Sequence, residues 1–391
     1  MDVFLLSAVR TPIGKFLGGL AEIPAPRLGA VALQEALKRA NVRPDQVDEA
    51  IFGNVLQAGV GQNPARQAAI FAGLPDTIAA YTVNKVCGSG LKAAMLGAQA
   101  IKAGDADIIV AGGMESMSRA PHLIETSRTG QKYGDGKLVD SLIRDGLWCP
   151  FENWPMGDAA EYVAAKCGVN RADQDRFSVQ SHQKAAAAWE MGAFAAEIVP
   201  VAVGTGAKTK TVARDEGIRP ESTPDALAKL RPAFKPDGTV TAGNASQLSD
   251  GAAAVVLASD RAVARFNSKP LARVVAYATS GVHPKDIFLA PVPAIQKALE
   301  KAKLTLADIG LFELNEAFAA QMLACGKELG LDENLVNVHG GAIALGHPIG
   351  ASGARVLTTL VHALAWYGRR YGVASLCLGG GNAVAMVVER V

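Results

Sequence analysis

Val83-Asn84-Lys85-Val86-Cys87-Gly88-Ser89-Gly90 is the stretch whose surroundings decide the fold. Ala80 to Val86 reads as a strand, Gly88 to Ala103 as a helix, and Asp107 to Ala111 as a buried strand that runs into Gly112-Gly113. The same order returns near the C-terminus. Asn334 to Val338 reads as a strand, Ile349-Gly350-Ala351-Ser352-Gly353 leads into a helix over Ala354 to Trp366, and Val373 to Cys377 is a strand ending at Gly379-Gly380-Gly381. A repeated strand, glycine turn, Ser-Gly, helix, strand, Gly-Gly order is the signature of a duplicated α/β unit.

Working outward, Val3 to Val9 is strand-like, Arg27 to Ala40 helical, Ile51 to Val55 strand-like and Pro64 to Ala72 helical. Such alternation predicts a mostly parallel sheet covered by helices. From Pro121 to about Leu248 the texture changes. This stretch holds three of the four Trp (Trp148, Trp154, Trp189), apolar-poor segments at Thr126 to Lys137 and Thr205 to Thr223, and a helix around Ala172 to Met191. It reads as an insertion into the first unit. Buried-strand texture resumes at Ala252 to Leu257, a helix follows at Ser259 to Phe266, and the second unit begins near Pro270. The expected division is therefore a first half of residues 1–119 and 249–268, an inserted region of residues 120–248, and a second half of residues 269–391.

The composition fits. The chain has 391 residues, 49% hydrophobic against 19% charged, with 41 Gly and only 6% aromatic residues, as expected of Ala/Gly-rich helices packed close to sheets. Lys and Arg total 39 against 37 for Asp and Glu, scattered rather than blocked, which argues against a nucleic-acid or polybasic membrane surface. No apolar run approaches the roughly 18 residues of a spanning helix, and the N-terminus shows no export signal. Five widely separated cysteines, Cys87, Cys149, Cys167, Cys325 and Cys377, lack CxxC spacing and fit neither a disulfide framework nor a zinc site. The expectation is a cytoplasmic protein without a metal, whose partner is a small molecule.

Several residues carry chemistry. Cys87 sits at a strand-to-helix turn, where free backbone N–H groups favour a thiolate and offer donors to an oxyanion. His347, held between Gly346 and Pro348, is a suitable base for a thiol, and His339 precedes Gly340-Gly341 where it could support the same loop. Cys377 ends an apolar strand beside Gly379-Gly380-Gly381 and suits either an acid/base role or a disulfide with Cys87. Asn315, in Asn315-Glu316-Ala317-Phe318, could orient a water or donate to a carbonyl oxygen, or could simply cap the helix that follows.

Taken in order, Val83 to Gly90, Asn315 to Phe318, Gly346-His347-Pro348-Ile349-Gly350 and Cys377-Leu378-Gly379-Gly380-Gly381 resemble the thiolase family of acyl-CoA acetyltransferases over essentially the whole chain. The resemblance implies a five-layered α-β-α-β-α fold of two similar halves with an inserted loop domain. It implies Cys87 as the acyl-carrying nucleophile, His347 as the base that takes its proton, and Cys377 as the acid/base at the α-carbon of the acetyl unit. Asn315, through a water, would form one oxyanion hole with His347, and the N–H groups of Cys87 and Gly379 the other. The inserted region becomes the coenzyme A platform, with Ser246 along the pantetheine arm, Met156 and Phe318 lining its channel, and Arg219 and Phe234 flanking the adenine nucleotide. No separate cofactor is implied; acetyl-CoA, acetoacetyl-CoA and CoA are the small-molecule partners, and a homodimer or homotetramer is expected, with Gln131 to Lys137 a candidate tetramerisation element.

Two departures bear on substrate. Pro155 stands before Met156-Gly157 where many biosynthetic members carry His, and Pro284 to Pro291 lacks their Met-Gly form, being closer to mitochondrial acetoacetyl-CoA thiolases that also accept 2-methyl-branched substrates. The leading expectation is reversible Claisen condensation of two acetyl-CoA. The alternatives are a degradative 3-oxoacyl-CoA thiolase for longer or 2-methyl-branched chains, a decarboxylating condensing enzyme, for which His or Asn would stand at Cys377, and a non-catalytic acyl-CoA-binding relative.

Overall fold

The computed structural model describes residues 1–391, the side chain of Ala207 excepted. In chain order the first half comprises β1 (Val3–Arg10), α1 (Ala25–Ala40), β2 (Glu49–Gly53), α2 (Pro64–Phe71), β3 (Ala79–Val83), α3 (Ser89–Ala103) and β4 (Ile108–Ser116). The chain then passes through the inserted region, with α4 (Met156–Cys167) and α5 (Arg171–Glu190), before β5 (Ser249–Ser259) completes the half. The second half runs β6 (Ala272–Gly281), α6 (Pro291–Ala302), β7 (Leu311–Leu314), α7 (Ala319–Leu329), α8 (Ile349–Trp366), β8 (Tyr371–Leu378) and β9 (Asn382–Arg390). No helix among the described residues is long and apolar enough to cross a membrane.

The strands form one sheet in the order β7-β8-β9-β6-β1-β5-β4-β2-β3, joined at its centre only by the short β1/β6 pairing of Phe4 with Arg273 and Leu5 with Ala272. Read outward from that joint, the two halves repeat: β1-β5-β4-β2-β3 and β6-β9-β8-β7, the latter extended by a parallel bridge from Phe312 to Val336. The expected strand over Asn334 to Val338 is thus reduced to this bridge beside a 3₁₀ turn at Glu333–Leu335.

The mostly parallel sheet is also corrected. Only β2/β3, β2/β4 and β7/β8 are parallel, whereas β1/β5, β4/β5, β6/β9 and β8/β9 are antiparallel. In each half the last strand inserts between the first strand and its predecessor. In the second half a glycine hairpin at Gly379-Gly380-Gly381 achieves this, a connection far too short for a parallel crossover.

Packing follows from which faces are apolar. Helices α1 and α2 cover the outer face of the first half's sheet, and α6 and α7 cover that of the second. Between them α3 and α8 form a shared central layer, with Leu91, Met95, Val356 and Leu360 wholly or almost wholly buried among residues of both halves. Helix α8 is buried from Ile349 to Leu364 apart from His362, which explains its near-uniform apolar and small-residue sequence. The layers are therefore α-β-α-β-α.

The two central helices cross on glycine. A Cβ on Gly90 would stand 2.6 Å from the Ala354 backbone nitrogen, and one on Gly353 would collide with the Leu91 nitrogen. Overpacking such a contact costs about 1–3 kcal/mol. We expect Gly353→Ala to lower the urea-unfolding free energy by about that amount, with Gly281→Ala, which meets open space, as the control.

Candidate active site

The crossing brings the N-termini of α3 and α8 together at one end of the central layer. The Cys87 turn lies before α3. Val86 adopts a left-handed φ of 47°, unusual for a β-branched residue, and the strained turn is clasped from three sides. The Ser89 hydroxyl donates to Val86 O at 2.6 Å and accepts from Lys85 N at 2.9 Å, while Asn84 Oδ1 accepts from Val86 N at 3.1 Å. Gly88 leaves room for Leu378 of the other half, which a Cβ would strike.

His347 precedes α8. Its Nδ1 lies 2.6 Å from Ser352 Oγ, and Ser352 Oγ in turn donates to Pro348 O at 2.9 Å. A hydroxyl whose proton is committed to a carbonyl must accept at its oxygen, so His347 carries its proton on Nδ1. Nε2 is then a lone pair, consistent with the Asn315 amide donating to it at 3.4 Å. Asn315 is not the cap of α7: that position is Phe318, and Asn315 is held instead by its N–H to Ser375 O at 3.0 Å. Its Oδ1 is buried without a protein partner.

Cys87, His347, Cys377 and Gly379 all line one cavity of about 470 Å³, whose walls include Met156, Phe234, Ser246, Phe288, Ala317 and Phe318. Ser246 donates its N–H to Ala317 O at 3.0 Å, and Phe234 lies across Gly157 where any Cβ would meet its ring. Arg219 is not brought to this cavity. It is exposed, with its N–H donating to His182 Nδ1 at 3.1 Å. His339 does not line this cavity and is buried beside Phe194, Trp366 and Tyr367. All five cysteines are free thiols, so Cys377 forms no disulfide with Cys87.

The electrostatics reverse one expectation. Burial pushes the Cys87 thiol up to about 12, outweighing its own backbone N–H and that of Gly379, which both stabilise sulfur charge, while the Glu115 carboxylate adds to the rise. Burial and Arg355 push His347 down to about 3, and burial beside Cys87 raises Cys377 well above its usual value. Burial therefore favours two thiols and an imidazole at the site over a thiolate–imidazolium pair.

Two residues escaped the sequence reading. Ser352 lies one turn past His347, and a hydroxyl at that spacing from a loop histidine is its signal in the sequence. Glu115, fully buried, accepts from Val55 N at 3.1 Å, Leu56 N at 3.2 Å, Gly350 N at 2.9 Å and Asn54 Nδ2 at 2.7 Å, tying the loop after β2 to the start of α8. Its only trace in sequence is a carboxylate inside an apolar run.

This is a duplicated α/β protein whose two halves contribute a thiol and imidazole to one apolar cavity. Residues 3–261 match the family model described as Thiolase, N-terminal domain, and residues 268–390 match Thiolase, C-terminal domain. The chain is 55% identical over 387 residues to an acetyl-CoA acetyltransferase of Escherichia coli (strain K12), covering 99% of this chain and 98% of that protein. It is 51% identical over 389 residues to a probable acetyl-CoA acyltransferase of Staphylococcus aureus (strain COL), covering 99% of each. The crystal structure of the Bacillus anthracis acetyl-CoA acetyltransferase superposes with a TM-score of 0.98 at 43% identity, over 100% of this chain and 99% of that one. The chain belongs to the thiolase family.

Ser352→Ala should leave the fold intact but remove the Nδ1 acceptor. A hydrogen bond to a group that becomes charged is worth about 1.5–3 kcal/mol, so kcat should fall roughly 10- to 100-fold. Steady-state thiolysis kinetics, with circular dichroism to confirm folding, check this.

Proposed function

We propose that this enzyme interconverts two acetyl-CoA with acetoacetyl-CoA and CoA through an acyl-thioester on Cys87. The observation that carries the reading is the convergence of Cys87, His347, Cys377 and Gly379 on one apolar cavity. As Cys87 sulfur attacks the thioester carbonyl, its proton passes to the lone pair of His347 Nε2, and charge developing on the carbonyl oxygen falls to the N–H groups of Cys87 and Gly379. Moving the proton within the step suits a site whose burial disfavours a standing thiolate. His347 then returns the proton to the departing CoA sulfur.

In the second half-reaction the Cys377 thiol first passes its proton to the lone pair of His347 Nε2, and the resulting thiolate takes a proton from the methyl carbon of a second acetyl-CoA. The enolate oxygen that forms is stabilised by the Nε2–H that His347 now carries and by Asn315 through a water, for which the unpartnered Asn315 Oδ1 is the supporting observation. The nucleophilic carbon attacks acetyl-Cys87, the tetrahedral adduct collapses, and Cys87 sulfur leaves with the proton held on His347 Nε2. Each thiol ends as it began, as reversibility requires.

CoA is assigned to the inserted region, with Ser246, Met156 and Phe318 along the pantetheine arm and Phe234 toward the nucleotide. Arg219 is assigned to the adenine nucleotide only as an exposed residue outside the cavity lining. A cytoplasmic homotetramer is proposed, using the exposed segment around Tyr133, which is 98% accessible. A solution mass measurement decides between tetramer and dimer.

Cys377→Ser should preserve acetylation of Cys87 by acetyl-CoA, read by intact-protein mass spectrometry, while condensation falls at least 100-fold. Loss of acetylation in that variant would overturn the division of roles. A thiolysis profile over chain length and 2-methyl branching should peak at acetoacetyl-CoA, and a preference for eight or more carbons would favour the degradative alternative.

A further inference from the structure

Phe288 and Ala317 line the cavity on adjoining segments, neither of which is an α-helix or a strand. Phe288 lies in the 3₁₀ segment Pro284–Leu289, kinked at Asp286, and Ala317 lies in the loop before α7. What joins them runs through the interior of α7. The Ala317 N–H donates to Gln321 Oε1 at 3.2 Å, the Gln321 amide approaches Cys325 Sγ at 3.9 Å, and the Cys325 thiol donates to Phe288 O at 3.0 Å. Gln321 and Cys325 are one helical turn apart on the buried face of α7, and both are essentially inaccessible.

On the cavity side the same segments meet directly. The Phe288 ring packs edge-on against Phe318, with centroids 5.3 Å apart. Phe288 is thus held between an aromatic contact in front and a thiol hydrogen bond behind. A buried side chain so fixed cannot retreat to admit a longer acyl chain.

We propose that Gln321 and Cys325 are positioning residues that set the acyl-chain limit of the enzyme by fixing the distance between the Phe288 and Ala317 walls. Neither touches substrate; each acts through the wall it holds. The inference rests on the thiolase reading, because it takes the cavity between these walls to receive the acyl group.

The test compares thiolysis of 3-oxohexanoyl-CoA with that of acetoacetyl-CoA in the full-length enzyme. 3-Oxohexanoyl-CoA carries two more methylenes, each of which discriminates about 10-fold or more in an apolar pocket, so Cys325→Ala should raise the ratio of the two kcat/KM values at least about tenfold, mainly through KM for the longer substrate. Cys325→Ser, which keeps the donor, should return the ratio to within about twofold of the parent. Gln321→Met cuts the link at its other end and should shift the ratio in the same direction as Cys325→Ala, which keeps the test open if the alanine variant does not fold. An unchanged ratio in the folded variants, or an equal loss on both substrates, would overturn the inference. Parent enzyme that cleaves neither substrate would instead overturn the thiolase reading, so the two failures are told apart.

Discussion

The close crossing of α3 and α8 at Gly90 and Gly353 is the constraint on which the rest of the molecule depends. Each helix is the central helix of its half, and each begins at a reactive turn. Because a Cβ at either glycine would meet backbone of the other helix, the separation of the two N-termini is fixed by main-chain contact rather than by adjustable side chains. Cys87 enters the cavity from one terminus and His347 from the other. Glu115 reinforces the same junction, since its carboxylate binds the Gly350 N–H of one half and the Val55 and Leu56 N–H groups of the other. A duplicated fold thereby makes an asymmetric site, in which equivalent helix ends hold different chemistry.

The inserted region must be fastened to this junction without covering it, and buried charge does the fastening. Arg10 of β1 binds Asp215 through two nitrogens, at 2.7 and 3.0 Å, and Glu197 at 2.5 Å. Glu316, adjacent to Asn315, accepts from Ser181 Oγ of α5 at 2.7 Å, from Asn337 Nδ2 at 2.9 Å and from Ile343 N at 3.1 Å. Removing one partner from such a pair leaves an uncompensated buried charge, which costs far more than the pair is worth. The bonds therefore give register more than net stability. They set where Ser246 and Phe234 stand relative to the thiols.

Much of this was legible in the sequence because the determining residues are contiguous. The Cys87 turn, the Gly346 to Gly353 loop and the Cys377 hairpin each read as local patterns, and their duplication gave the two halves. What was not legible depends on partners distant in sequence. The antiparallel majority of the sheet arises from where β5 and β9 insert, and strand texture does not encode insertion. The Asn334 to Val338 strand shrank to a bridge because only Val336 finds a partner in β7. The Cys87 thiol moved opposite to expectation because a helix N-terminus is a local feature, whereas desolvation is set by the whole cavity.

That last reversal bears on how the chemistry can run in both directions. A thiolate stabilised at rest would be a better leaving group from the acyl-enzyme but a weaker nucleophile toward the thioester, and it would favour one partner of each equilibrium. Neutral thiols at Cys87 and Cys377 with a neutral His347 remove that bias. In the proposed mechanism charge appears only during a step, on the Cys377 sulfur, on oxygens that meet prearranged donors and on an imidazole whose Nδ1–H is held by Ser352. Stabilisation confined to the transition state raises the rate without favouring either ground state. In the proposed mechanism the apolar cavity takes part in catalysis: burial favours protonated thiols between turnovers and strengthens the few hydrogen bonds that meet developing charge.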